Sequence, residues 1–143
     1  MGTKRSVLVD EKGIPLSIVL DGANRHDVKL LPSTLGSFAV ERPKPTPEHP
    51  QNLCMDAAYS GSEQIAQAMG YIVHIRSRRQ EDQEKQTNPA FRSRRWVVEA
   101  AHSFLNRFRK LLVRFEKKAA NYLALLHFAC AVIVWRKCLP VHL

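Results

Sequence analysis

The chain begins with two short runs of hydrophobic, β-branched residues. Two β-branched runs, KRSVLVD at residues 4–10 and IPLSIVL at residues 14–20, are separated by Glu11-Lys12-Gly13. Glycine allows the positive φ that a tight turn needs, so the pattern predicts a β-hairpin. A helix over residues 28–35 is expected next, with Asp27 as its cap, Pro32 keeping it short or kinked and Gly36 ending it.

The middle of the chain alternates between short predicted elements and polar connections. Four prolines within residues 41–51 predict an extended surface connector. A short apolar strand over residues 53–55 then runs into Asp56, and Ser62 is placed to cap a helix that ends before Gly70. A strand over residues 71–75 follows. Residues 76–92 are polar and lack periodicity, so they are predicted to form a mobile loop.

The C-terminal third changes to the 3.6-residue period of amphipathic helices. From residue 92 to 115 the apolar positions fall on one side of a helix at 100° per residue. A break near residues 118–121 is predicted to lead into an apolar helix over residues 123–135. That run is shorter than the roughly 20 residues needed to cross a bilayer, so a buried core helix is expected. Trp96 and Trp135 are expected to be packing residues. The apolar side of the first helix comprises Val97, Ala101, Phe104, Leu105, Phe108, Leu111, Leu112 and Phe115.

The order of these elements predicts the fold class. A hairpin followed by alternating helices and strands is typical of an α/β structure with a mixed sheet. At 143 residues the chain has the length of one domain with one core. Cys54, Cys130 and Cys138 have no metal-ligand spacing, and free thiols in a reducing cytosol are expected. The N-terminus carries no apolar leader.

Positive charge is concentrated in one part of the chain. Of the net charge of +9, most lies in residues 74–118, which carry 13 Lys or Arg and 5 Asp or Glu. Such a local excess indicates a polyanion-binding face, with nucleic acid as the expected partner. Glu99 is the only acid in residues 92–115, among seven basic residues. It is either paired in a surface salt bridge or directed at a metal ion beside a phosphate backbone.

A second carboxylate makes the metal hypothesis more specific. Asp56 follows a buried strand, and catalytic groups of open α/β sheets are found at that end of the strands. Alternatively, Asp56 only opens the turn that follows it. Two carboxylates beside a basic stripe would suit Mg²⁺, which binds one or two carboxylates together with substrate phosphate. A pair of such ions can promote phosphodiester cleavage.

Three blocks of the sequence resemble a known family. They are KRSVLVDEKGIPLSIVLDGANRHDVKLL, LCMDAAYSG and RWVVEAAHSFLNRFRKLLVRFEK. In this order they resemble the C-terminal two-thirds of bacterial insertion-sequence DDE transposases of the insertion sequence five/four type. The resemblance implies a ribonuclease H-like mixed sheet flanked by helices, without the first strand and with two C-terminal helices. Residues 1–143 would then form a single truncated catalytic domain.

The resemblance also assigns roles to individual residues. Asp56 matches the second catalytic aspartate and Glu99 the catalytic glutamate, so both would hold metal. Arg95 matches the arginine that accompanies this glutamate. The family has Tyr at the position of Arg92 and Lys at that of Asn106, so the chain departs from the family at both. The residues expected to contact DNA are Arg92, Arg94, Arg95, His102, Asn106, Arg107 and Lys110.

The family's first catalytic aspartate belongs to a strand upstream of residues 4–10. Asp10, Asp21 and Asp27 lie at a turn, a strand end and a helix start, so none of them resembles it. His26 and His74 are expected to have structural roles. The chain is therefore expected to be a poor catalyst alone, as a split product, a mis-called start or a decayed remnant.

The activity implied by the resemblance is DNA transposition. A two-metal site with Mg²⁺ or Mn²⁺ would support cleavage at insertion-sequence ends and attack of the freed 3′ hydroxyl on target DNA. The implied partners are double-stranded DNA, an N-terminal transposase fragment and further copies in the complete enzyme, without a membrane. The implied location is the cytoplasm, on the nucleoid. The alternative is a non-catalytic basic DNA-binding module, domesticated or remnant. An RNA-associated protein is disfavoured because aromatic residues do not interleave with the basic ones.

Overall fold

The computed structural model describes residues 2–139 and begins with the expected hairpin. Strands β1 (Thr3–Val9) and β2 (Pro15–Gly22) pair in antiparallel register. Gly13 has a φ of +74°, and a Cβ there would lie 3.4 Å from the Val97 side chain. The turn therefore needs glycine both for its backbone conformation and for its close approach to a helix.

The elements of the middle region follow the predicted order. Helix α1 (Asp27–Gly36) is followed by an extended connector and by strand β3 (Gln51–Asp56). A 3₁₀ helix (Ala57–Tyr59), helix α2 (Glu63–Gln67) and strand β4 (Tyr71–Arg76) complete this region. The hairpin and both later strands are confirmed.

The predicted cap of α1 is wrong. Asp27 is the first residue of the helix, and His26 occupies the cap position without a side-chain hydrogen bond. The Asp27 carboxylate instead pairs with Lys4 at 3.2 Å, which ties the start of α1 to β1. An acid in the first turn also interacts favourably with the helix dipole. Pro32 lies inside α1 without ending it.

The strands form two small sheets. Within residues 2–139, β1 pairs with β2 and β3 pairs in parallel with β4, and these are two separate ladders. The α/β class is confirmed, but the described strands do not join into the expected single mixed sheet. Helices connect the two sheets instead, because α1 contacts both hairpin strands and the 3₁₀ helix, while helix α4 (Arg95–Asn106) contacts both β1 and β3.

The predicted loop over residues 76–92 is wrong, because helix α3 (Arg78–Thr87) occupies most of it. Its N-terminus has a capping box in which the Ser77 hydroxyl accepts from the Gln80 amide at 3.3 Å. The Gln80 side chain accepts from the Ser77 amide at 2.8 Å. The helix buries none of its residues. The segment therefore shows no apolar periodicity that would indicate a helix, whereas the Ser-x-x-Gln spacing at its start does indicate a helix N-terminus.

The long amphipathic helix predicted over residues 92–115 is interrupted. Helix α4 ends at Asn106, Phe108 is extended with φ −81° and ψ 106°, and a single-turn helix α5 (Arg109–Leu112) follows. The buried Tyr122 hydroxyl donates to the Leu111 carbonyl at 2.8 Å, so this carbonyl is satisfied from outside the helix. Phe104, Leu112 and Phe115 are exposed, contrary to the predicted apolar face.

The last helix, α6 (Ala119–Cys138), buries one face only. Tyr122, Leu126, Ala129 and Ile133 are buried against β2 and Leu105. The expectation of a wholly buried core helix is wrong, because Phe128 is 69% exposed; Trp96 and Trp135, expected to pack, are also largely exposed. Among the described residues α6 is the one helix long and apolar enough to cross a membrane, a criterion of length and composition that soluble core helices also meet.

A second, smaller core lies beneath α1. Residues of α1, α2 and the β3–β4 sheet meet there, and Leu8 of the hairpin packs against their edge. The buried members are Leu31, Leu35, Leu53, Ala66 and Tyr71. The sheet that ends in Asp56 is thus fixed on the α1 side, while its other side faces α4.

Candidate active site

Asp56 occupies the C-terminal end of β3, where the strand turns into the 3₁₀ helix. Its backbone is extended, with φ −69° and ψ 157°, and its Oδ1 accepts from the Ala57 amide at 2.6 Å. The side chain is 59% exposed. Asp56 therefore opens the turn and still exposes its carboxylate, because the capping bond uses only one oxygen.

Arg95 connects α4 to both strands of the second sheet. Its Nη2 lies 3.1 Å from Asp56 Oδ1 and 3.4 Å from the carbonyl oxygen of Arg76, at the end of β4. Its side chain is only 17% exposed. Arg95, the first residue of α4, is thus held at the C-terminal end of both parallel strands.

Glu99 lies one helical turn beyond Arg95, on the same side of α4. Its side chain is exposed, and no Lys, Arg or His in residues 2–139 lies within ion-pair distance of it. The surface salt bridge considered for Glu99 is absent from this part of the chain. The ion pair of the site belongs to Asp56.

Asp56, Arg95 and Glu99 line one open cleft of about 1020 Å³. The cleft extends between β1 and β3 and is bounded by α1 and α4. Residues 43 positions apart in sequence are therefore brought to one solvent-filled space by β3 and α4. Six carboxylates and six guanidiniums line this cleft, so groups of both charges are present for a divalent cation and for a phosphate.

The donor set limits which metal site can form. Among the described residues no group of three or more His, Cys, Asp or Glu side chains is gathered closely enough to hold a metal. Two carboxylates fit one hard cation that keeps water or phosphate as its other ligands. Within residues 2–139 Asp56 and Glu99 belong to no larger cluster of possible metal ligands.

Four of the residues predicted to contact DNA are exposed. Arg92 and Arg94 are exposed beside the cleft, and Arg94 pairs with Glu11 at 3.6 Å. Arg107 and Lys110 lie at and beyond the end of α4. The break at Phe108 removes Lys110 from the helical stripe on which it was predicted.

Two residues of the predicted set point toward the hairpin. The Asn106 Oδ1 accepts from Arg5 Nη2 at 2.7 Å. His102 lines the cleft next to Arg5, and burial, followed by the nearby guanidinium of Arg5, lowers the pKa of its imidazole. Both are partly buried. A role in DNA contact for either residue stays a prediction.

A second groove, of about 670 Å³, was not predicted from the sequence. It lies between α3 and the start of α4, and five residues line both the groove and the cleft: Glu81, Phe91, Arg92, Arg95 and Glu99. Trp96 stands in its wall with 62% of its surface exposed. The groove exists because α3 folds where a loop was expected. The α3 residues that line it are Arg78, Glu81, Asp82 and Lys85.

Comparison with known proteins identifies the family. The model of the Transposase DDE domain family matches residues 1–134. The chain belongs to the DDE transposase family. It is also 33% identical over 139 residues to "Putative transposase for insertion sequence element IS402" of Burkholderia cepacia, an alignment covering 94% of this chain. The chain spans 63% of the length of that relative. No solved structure matches the present chain.

These matches confirm the resemblance to bacterial insertion-sequence DDE transposases. Members of the family act on DNA in transposition and generally use divalent metal ions. The matches cover both Asp56 and Glu99. The individual roles of these residues remain predictions.

Proposed function

We propose that this chain is the C-terminal part of an insertion-sequence transposase catalytic domain that cleaves and transfers DNA strands with Mg²⁺ or Mn²⁺. Asp56 and Glu99 hold the cation and Arg95 positions a DNA phosphate. The observation that carries the proposal is the single cleft lined by these three side chains. The complete domain has a ribonuclease H-like sheet, of which the hairpin and the β3–β4 pair are two parts.

Each side chain has a separable task in this proposal. Divalent ions, when bound, activate the attacking oxygen and stabilise the leaving oxygen of an in-line displacement. Glu99 can bind a cation without first breaking an ion pair, since no ion pair to it is formed within residues 2–139. Asp56 shares one oxygen with Arg95, so a phosphate that draws Arg95 away frees this carboxylate for the cation.

Exposed basic residues supply the affinity for double-stranded DNA. Arg92, Arg94, Arg107 and Lys110 lie on α4, α5 or the segments beside them and are exposed. Contacts of this kind bind phosphate without reading base sequence, and the affinity falls steeply with salt. Transposon ends and target DNA are the proposed duplexes, bound in the cytoplasm on the nucleoid.

The proposed metal site is incomplete in this chain alone. Asp56 and Glu99 are the two carboxylates assigned to the metal, whereas a two-ion site needs further oxygen ligands, and no group of three or more possible ligands is gathered within residues 2–139. We therefore propose that an N-terminal transposase segment supplies the remaining carboxylate, that the complete enzyme works as a homo-oligomer, and that residues 1–143 alone are a weak or inactive catalyst.

Metal binding tests the proposal directly. Mn²⁺ binding to the purified chain, followed by the loss of the free-ion electron paramagnetic resonance signal, should be weakened at least tenfold by Asp56→Asn and by Glu99→Gln. Glu48→Gln is the matched control, because Glu48 is exposed on the connector and lines neither cleft. Unchanged Mn²⁺ binding in both cleft variants would overturn the metal site.

The second candidate is a non-catalytic DNA-binding module. Residues 74–118 contain 13 basic and 5 acidic residues, and a positively charged surface of this kind binds DNA without a metal. This candidate predicts duplex DNA binding whose affinity and salt dependence are the same with Mg²⁺ and with a chelator. The transposase proposal predicts tighter binding when Mg²⁺ is present, because the cation bridges carboxylate and phosphate.

A further inference from the structure

Arg76 lies beside Asp56 at the C-terminal end of the parallel sheet. It is the last residue of β4, and the register of the ladder makes it the direct partner of Asp56. Its side chain is exposed and lines the cleft, as the side chains of Asp56 and Arg95 do. Arg95 Nη2 also lies 3.4 Å from the Arg76 carbonyl oxygen. A phosphate bound by Arg95 would therefore be within reach of the Arg76 guanidinium.

The Arg76 guanidinium is already occupied by groups of this chain. Its Nη1 lies 3.0 Å from Oε2 of Glu84, which belongs to α3. Its Cζ lies 5.1 Å from the centre of the Phe91 ring, so the planar group is also stacked on an aromatic side chain. Carboxylates and phosphates bind to the same fork of donors on a guanidinium. Glu84 therefore stands where a DNA phosphate would bind.

Helix α3, which carries Glu84, is weakly held. None of its 10 residues is buried, and helices of this length are marginal in water without packing. Within residues 2–139 the Arg76–Glu84 pair is the one salt bridge that joins α3 to another element, because the Lys85–Asp82 pair lies inside the helix. Partly exposed ion pairs are weak. The structure therefore allows α3 to leave Arg76 at a small cost in free energy.

The same helix places further acids beside the arginines of the site. Glu81 and Asp82 line the groove between α3 and α4, in which Arg92 and Arg95 also lie. Glu81 lines the cleft as well. Carboxylates at these positions repel a phosphate backbone that approaches the arginines. Displacement of α3 would move Glu81, Asp82 and Glu84 away from that path together.

We propose that Arg76 is a further phosphate-binding residue of the cleft, and that α3 covers it until duplex DNA displaces Glu84. The exchange replaces one anion by another on the same guanidinium, as the exchange of Asp56 for phosphate does on Arg95. The inference rests on the proposed function, because it takes duplex DNA as the ligand of the cleft. It adds a regulatory contact to that site: the chain binds DNA more weakly than its exposed arginines alone would allow.

The binding role of Arg76 is tested with a fluorescently labelled DNA duplex and the full chain, by anisotropy titration in the presence of a chelator. Arg76→Gln should weaken binding about threefold or more, and the slope of log affinity against log salt concentration should fall by about one unit, as expected for the loss of one phosphate contact. An unchanged affinity and slope in Arg76→Gln would overturn the inference.

The covering role of α3 is tested by a double-mutant cycle in the same titration. Glu84→Gln should raise the affinity for DNA about two- to fivefold, because the ion pair no longer has to be broken. In the Arg76→Gln background Glu84→Gln should cause no such rise, since no guanidinium is left to release. Asp82→Asn is the matched control: it removes one negative charge from the same helix, and the ion pair of Asp82 is to Lys85 of that helix, at 4.0 Å. It should raise the affinity less, and equally in both backgrounds.

Two results would show simple charge repulsion in place of a cover on Arg76. They are an equal rise for Glu84→Gln in both backgrounds, and an equal rise for Glu84→Gln and Asp82→Asn in wild type. Melting temperatures show whether each variant folds, and if Arg76→Gln does not, the comparison of Glu84→Gln with Asp82→Asn decides. Because the titrations contain a chelator, loss of the proposed metal site at Asp56 and Glu99 would leave this inference standing, and its failure would leave that metal site standing.

Discussion

Two regions of this molecule are built in opposite ways. The packed half consists of β2, α5, α6 and the C-terminal part of α4, and it buries Ile18, Leu105 and Leu126 in one cluster. The open half consists of β3, β4 and the N-terminal part of α4, and it places Asp56, Arg95 and Glu99 around a cleft. Packing thus holds α4 at one end while its other end carries the charges.

This difference between the two halves explains how the candidate site is held in place although few contacts join its own side chains. Leu105 is 0% exposed and Val97 is 4% exposed, so α4 is fixed along its length by apolar contacts. Glu99 lies between these two anchors and needs no partner of its own to be held in place. Stability is therefore expected to depend on the packed half, and chemistry on the open half.

The largest expected effect is the loss of packing at Leu126. Its side chain is 0% exposed in the main core, so Leu126→Ala should lower the free energy of unfolding by about 2–5 kcal/mol, measured by urea denaturation. The control Phe128→Ala, at a residue 69% exposed on the same helix, should change it by less than about 1 kcal/mol. Similar losses in the two variants would mean that both faces of α6 are packed.

A smaller effect is expected at the Tyr122 hydroxyl, which bonds to a backbone carbonyl of α5. Tyr122→Phe removes the hydrogen bond to the Leu111 carbonyl and leaves a buried acceptor, which should cost about 1–2 kcal/mol. Tyr71 is also buried, and its hydroxyl bonds to no side chain or backbone group of residues 2–139. Tyr71→Phe should therefore be close to neutral in the same urea titration.

Stability should also fall at low pH because of His102. Burial and Arg5 lower the pKa of its imidazole in the folded chain, so the unfolded chain binds the proton more tightly. The contribution is present above the unfolded value of about 6.5 and is lost as pH falls through the lower folded pKa. The melting temperature should drop less between pH 7.5 and 5.5 in His102→Gln than in wild type. His127→Gln, at an exposed residue, should behave as wild type.

The sequence predicted those features that depend on local pattern. The hairpin follows from two β-branched runs on either side of Gly13, and β3 and β4 follow from apolar runs bounded by Asp56 and Gly70. Helix α3 was missed because it buries nothing, although Ser77 and Gln80 carried a capping signal. The break at Phe108 was missed because the apolar pattern continues across it, through Leu105, Phe108 and Leu111.

The sequence yields the candidate site as a list of residues and not as an arrangement. Asp56, Arg95 and Glu99 were identified from the strand end, the helical spacing and the family resemblance. Spacing placed Arg95 beside Glu99, whereas the structure pairs Arg95 with Asp56 across 39 positions. Such a contact depends on how α4 crosses the end of the sheet, which no local pattern specifies.

The smallest expected effect on stability is at Glu99, the residue that tests the difference between the two halves most directly. Glu99→Gln should change the free energy of unfolding by less than about 0.5 kcal/mol, because the exposed carboxylate has no ion pair within residues 2–139. Glu84→Gln is the matched control; Glu84 pairs with Arg76 at 3.0 Å, and its loss should cost about 0.2–1 kcal/mol. Urea titrations of both variants measure the difference. A loss above about 1 kcal/mol for Glu99→Gln would mean that this acid stabilises the fold, and the open half would then depend on its charges as the packed half depends on its core.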